Sequence, residues 1–133
     1  MGIILDADVI IGAEKGTFDL RSWVASRAED PFEVAAITVA ELWHSVERAT
    51  GAQKARRRKY LEAILAVLPI IPYTEQTAYE HARIWAQLES SGKMMGFYDV
   101  MVAATALERG SAVATFNERH FAQVKGLTIV ELK

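Results

Sequence analysis

The chain contains no cysteine. Disulfide cross-links, thiolate zinc sites and thiol catalysis are therefore excluded, and a reducing cytoplasm suits it. A basic surplus is also missing: 15 Lys and Arg stand against 17 Asp and Glu, a net charge of −2. No global positive field exists to hold a nucleic acid, so a polyanionic partner requires local basic patches or metal ions. No apolar run approaches the roughly 18 residues needed to span a bilayer. The apolar start is broken by Asp6 and Asp8, far short of a signal peptide. The expectation is a soluble cytoplasmic protein with no membrane partner. Internal repeats and low-complexity segments are absent. The three histidines, His44, His81 and His120, have no metal-ligand spacing, and His44 and His81 read as surface residues.

What is present is a chain of 133 residues, about half of them apolar. That length suits one domain, residues 1–133, with a substantial core. The Ile- and Leu-rich residues 1–6 read as a buried strand. Further strands are expected at 33–37, 68–73, 112–115 and 128–132. Helical patterns fall at 18–27, 38–49, 53–67, 74–90 and 97–108, punctuated by Asp30-Pro31, Thr50-Gly51, Ser91-Gly92 and Arg109-Gly110. Strands alternating with helices predict a three-layer α/β/α sandwich around a mainly parallel sheet of four to five strands. Sites in such sheets form at the carboxyl ends of the strands.

Polar residues gather at those ends. Asp6 closes the first strand, and Glu41 follows the second in what reads as the first turn of its helix. Asp99 opens the helix before the fourth strand, and Asn117 and Glu118 follow that strand. A parallel sheet places Asp6, Glu41 and Asn117 on one edge, where Asp99 can join them. Oxygen ligands converging without His or Cys specify a hard cation, Mg2+ or Mn2+, whose chemistry is phosphoryl transfer. Such an ion would also offset the charge of Asp6, which is costly at the end of a buried strand.

Each residue also has a plain structural reading. Thr38 and Glu41 have the spacing of a capping box. Asp99 suits the macrodipole of a first helical turn. Asp8 reads as the N-cap of a short helix starting at Val9, in preference to a ligand. Asn117 suits an Asx-turn, and Thr115 reads as a strand terminator that could also hydrogen-bond Asp6 or a substrate. Asp6 is the hardest to explain structurally.

Four segments carry a resemblance: IILDADVIIG, ITVAELWHSV, GFYDVMVAATALERG and AVATFNERHFAQVKGLTIVEL. In this order they resemble a PIN-domain protein of the VapC toxin type, over nearly the whole chain. The resemblance implies a parallel sheet flanked by helices and Mg2+- or Mn2+-dependent endoribonuclease activity, usually on tRNA or rRNA loops. It further implies a VapB-type antitoxin partner, whose binding surface lies on neighbouring helices, and a homodimer. Asp6, Glu41 and Asp99 match the first three acidic positions. Asp6 and Asp99 would hold the cation, while Glu41 would bind through water or orient the nucleophile. At the fourth position many relatives carry Asp and others Asn, as here at Asn117, which would orient a phosphate or water; Glu118 or His120 is a candidate for the missing polar group. That departure bears on whether one metal or two is bound.

The dense basic run Lys54, Arg56, Arg57, Arg58 and Lys59 reads chiefly as a solvated helix face. Its functional reading is a grip on RNA phosphates through Arg56, Arg57 and Lys59. Two other functions remain open. Asp6-Ala7-Asp8-Val9 matches the nucleophile motif of haloacid-dehalogenase-type phosphatases, with Thr38 as the required second-strand hydroxyl, but no late acidic pair follows. Alternatively, the fold serves as a non-catalytic RNA- or partner-binding module.

Overall fold

The computed structural model describes residues 1–132. Five short strands form one parallel sheet: β1 (Ile3–Leu5), β2 (Phe32–Ala35), β3 (Ile70–Ile71), β4 (Ala112–Ala114) and β5 (Ile129–Val130). Their order is β3-β2-β1-β4-β5. The chain moves from β1 toward one edge through β2 and β3, then returns to place β4 on the other side of β1. The direction of winding therefore reverses between β1 and β4, where doubly wound sheets open a crevice at their carboxyl ends.

Seven helices complete the described chain: α1 (Ala7–Glu14), α2 (Leu20–Ala25), α3 (Ala36–Arg48), α4 (Gly51–Leu65), α5 (Glu75–Ser90), α6 (Phe97–Arg109) and α7 (Glu118–Phe121). Strand side chains alternate between faces, and the two core clusters follow that alternation. Ile4, Ala35 and Val113 pack with Ile84 and Leu88 of α5 and Val102 and Ala106 of α6. Ile3, Leu5, Val34 and Ala114 pack with Val9, Trp23, Leu42, Val46 and Leu61 on the first four helices. The three-layer sandwich is thus as expected, and every strand pair is parallel.

Two local expectations are corrected. α1 begins at Ala7, and Asp6, not Asp8, is its N-cap. β2 runs straight into α3, whose N-cap Ala35 makes no side-chain cap hydrogen bond. Thr38 therefore lies inside α3, fully buried, with its hydroxyl unpartnered. Thr38 and Glu41 form no capping box, and Glu41 sits in the second turn of α3. The apolar stretch Val34–Ile37 has the composition of a strand, but helix packing on the sheet takes over at Ala36. The same placement removes Thr38 from the strand end that the phosphatase reading needs.

At the far end of α6, Gly110 adopts φ 67°, a left-handed C-cap, and turns the chain into β4. Glycine suits this position because a Cβ disfavours that conformation. Because α6 leads into the amino end of β4, its own N-terminus and Asp99 lie at the carboxyl edge of the sheet.

Candidate active site

The β1–β4 register builds the centre of the site. Leu5 pairs with Ala114, so the next residues, Asp6 and Thr115, stand side by side. Thr115 Oγ1 donates to Asp6 Oδ2 at 2.8 Å, and the Ala7 amide donates to Asp6 Oδ1 at 2.9 Å. Thr115 therefore does more than end its strand. Its hydroxyl also lies 3.3 Å from Asp8 Oδ2, which accepts from the Phe116 amide at 3.1 Å. A hydroxyl has one proton, so it cannot satisfy both carboxylates at once.

Four carboxylates share this edge. Asp6 is 5% exposed, and burial pushes its carboxyl above the usual range against the hydrogen bonds from Thr115 and Ala7. Burial and the Asp6 charge raise Asp8 to about 6. Burial and the charges of Asp6, Asp99 and Asp8 raise Glu41 to about 7. Asp99 is raised by burial and by Asp6, with His120 pulling it back. The acids at the end of β1 and on α1, α3 and α6 therefore lie within electrostatic reach of one another along this edge. Asp8 Oδ1 and Glu41 Oε1 are buried with no hydrogen-bond partner, an arrangement that is costly unless something else occupies the position.

The other expected residues divide. Asn117 caps α7, and its side-chain amide meets His120 Nδ1 at 3.0 Å. His120 is thus linked both to Asn117 and to the field at Asp99. Glu118 lines a cleft with Thr115, Phe116, Glu131 and Leu132, so it borders the acidic edge through Thr115 without bonding to any of the four acids. Arg57 is turned inward onto Glu14 of α1 at 3.1 Å, so it is engaged elsewhere. Arg56 and Lys59 are exposed. Of the four acids, Asp99 is the one on which His120 exerts a lowering effect. His44 is exposed, as expected, whereas His81 is partly buried and meets the Tyr73 hydroxyl at 2.7 Å. From sequence Asp8 reads as a helix cap; the signal that points to the site instead is a second acid two residues after a strand-ending one.

The donor set is all oxygen and carries uncompensated charge, which fits a hard divalent cation. Among the described residues no three acids or histidines are already arranged around a single point. Mg2+ usually takes one or two carboxylates and keeps several waters, so such an arrangement does not conflict with the donor set.

The family model described as PIN domain matches residues 3–127. The chain belongs to the PIN-domain family. Its relatives include the tRNA(fMet)-specific endonuclease VapC of Salmonella typhimurium, 31% identical over 72% of this chain and 71% of that protein. The crystal structure of DNA-bound VapBC from Salmonella typhimurium superposes with a TM-score of 0.90 at 26% identity, covering 100% of this chain and 99% of that one. VapBC-5 of Mycobacterium tuberculosis, a member of the VapBC family of toxin–antitoxin systems, gives a TM-score of 0.78 at 26% identity, covering 98% and 99%. These relatives place this PIN domain among the VapC proteins, and the acidic edge lies within the matched span.

Proposed function

We propose that this chain is a single-domain endoribonuclease toxin of the VapC type, hydrolysing phosphodiester bonds in RNA with Mg2+ or Mn2+. The observation that carries this reading is the meeting of Asp6, Asp8, Glu41 and Asp99 with two buried carboxylate oxygens left unpartnered. Asp6 and Asp99 would hold the cation. When bound, a divalent cation polarises a phosphate and lowers the pKa of a water.

The chain's own residues supply the rest. Thr115 holds Asp6 by its hydrogen bond, which keeps one oxygen of the carboxylate directed. Glu41, within reach of the charges of Asp6 and Asp99, is placed to orient an attacking water and to accept its proton. Asn117 and His120, paired at the mouth, present amide and imidazole donors to a phosphate. Exposed Arg56 and Lys59 form a remote phosphate grip, without Arg57.

tRNA is the proposed substrate class, supported by the tRNA(fMet) specificity of the Salmonella relative. A VapB-type antitoxin is the proposed partner, supported by the toxin–antitoxin description of the Mycobacterium neighbour. The exposed Trp85, Met94 and Phe97 suit a homodimer contact. Among the described residues no helix is long and apolar enough to cross a membrane, and a cytoplasmic location accords with an RNA substrate.

The test is incubation of antitoxin-free protein with total tRNA in Mg2+, Mn2+ or EDTA, beside Asp99→Asn. Discrete cation-dependent fragments that Asp99→Asn abolishes are expected. Failure to cleave tRNA or any other cellular RNA, by protein shown to be folded and to bind the cation, overturns the reading in favour of a non-catalytic module.

A further inference from the structure

Beside the acidic edge lies a cavity of about 310 Å³ lined by Ile37, Ala40, Glu41, His44 and Tyr98. Four of these residues come from α3 at positions i, i+3, i+4 and i+7, one face of a helix. The fifth, Tyr98, stands on α6 immediately before Asp99. The cavity and the acidic site therefore share Glu41, and the two walls of the cavity are extensions of elements that carry catalytic candidates.

Tyr98 is 56% exposed. Among the described residues its ring packs on no other aromatic ring, whereas nearby Trp85 and Phe97 pack together. An open ring, apolar Ile37 and Ala40, and one imidazole edge make a site for a flat molecule with polar edges. A phosphate suits it poorly, because Glu41 contributes negative charge and no Lys or Arg lines the cavity. A neutral nucleobase suits it well: its face can stack on Tyr98 and its edge can hydrogen-bond His44.

We propose that this cavity is a nucleobase subsite for single-stranded RNA, receiving an unpaired base next to the phosphate held at the acidic edge. It rests on the endoribonuclease reading and deepens it. A base inside a duplex has no free face, so the subsite selects loops and single strands. Tyr98 and His44 are specificity residues here.

The experiment measures binding rather than cleavage. Asp99→Asn protein is titrated by fluorescence anisotropy with a short single-stranded RNA and with an abasic ribose-phosphate chain of equal length. Tyr98→Ala in that background is expected to weaken RNA binding on the order of tenfold, as for loss of one stacked base. Tyr98→Phe keeps the ring and is expected to retain affinity, His44→Ala to lose severalfold, and the abasic chain to respond to none of them. Circular dichroism and sedimentation accompany each variant. Unchanged RNA affinity in folded Tyr98→Ala overturns the proposal. So does an equal loss on the abasic chain, which indicates a backbone contact. A changed sedimentation coefficient with unchanged affinity also overturns it, placing Tyr98 between protein copies. If the unsubstituted protein cleaves no RNA while the Tyr98-dependent binding persists, the enzymatic reading fails and the subsite stands.

Discussion

At the scale of single residues, the site depends on one hydroxyl shared by two acids. Thr115 Oγ1 donates to Asp6, lies near Asp8 and accepts from the Asn117 amide at 2.9 Å. Its bond to Asp6 lowers a carboxyl that burial otherwise raises. Thr115→Val preserves shape and removes that bond. The Asp6 pKa is expected to rise further, readable by carboxyl NMR in the presence of chelator. In the cation-loaded protein the acidic limb of the pH–rate profile should move to higher pH, with kcat near neutrality falling on the order of tenfold or more. An unmoved limb would show that Asp6 does not depend on this hydroxyl.

At the scale of elements, α6 is fixed at both ends by different means. Its N-terminus carries Tyr98 and Asp99 to the site. Its C-terminus carries Arg109, whose guanidinium pairs with Glu33 of β2, while the Ser111 hydroxyl approaches the same carboxylate at 3.5 Å. Glu33 is 7% exposed, so removing its partner leaves a buried charge with little compensation. Arg109→Met is expected to lower stability by about 1–3 kcal/mol in urea unfolding, on the scale of an unsatisfied buried polar group. Adding Glu33→Gln should recover part of that loss, since the two residues are coupled. Additive losses would indicate that the pair does not anchor the helix to the strand.

At the scale of the whole molecule, the fold gathers negative charge where it buries it. Asp8 and Glu41 have folded-state carboxyls near 6 and 7, above their ordinary values of 3.8 and 4.5. The folded state therefore binds more protons than the unfolded state across that interval. Stability from these groups is full below their unfolded pKa values and is lost as pH rises through the folded ones. In EDTA the melting temperature is expected to fall between about pH 5 and about pH 8. Mg2+ should restore it chiefly at the upper end, because the cation binds the ionised folded state. A melting temperature that is flat in pH and indifferent to Mg2+ would count against a shared acidic site. Arg57 and Arg109 are used in pairs with Glu14 and Glu33, away from the acidic edge.

Much of this was legible in the residues themselves. Alternating apolar strands and amphipathic helices specify a parallel α/β sandwich, because each pattern can bury its apolar side in only one way. Asp6, at the end of an apolar strand, and Asp99, in a first helical turn, were visible because strand ends and helix starts meet at one edge of such a sheet. The start of α3 was not legible, since Val34–Ile37 suits strand and helix alike and packing on the sheet decided between them. Nor was the short α7, whose four residues carry no period. The partnership of Thr115 with Asp6 follows from the register of β1 on β4, which no local pattern encodes. The unpartnered oxygens of Asp8 and Glu41, the inward turn of Arg57 and the cavity between Tyr98 and His44 depend on distances between elements far apart in the chain. Composition and periodicity thus determined the layers and the edge at which chemistry is possible. Tertiary packing alone decided which side chains reach that edge, because burial and charge coupling exist only once the elements are together.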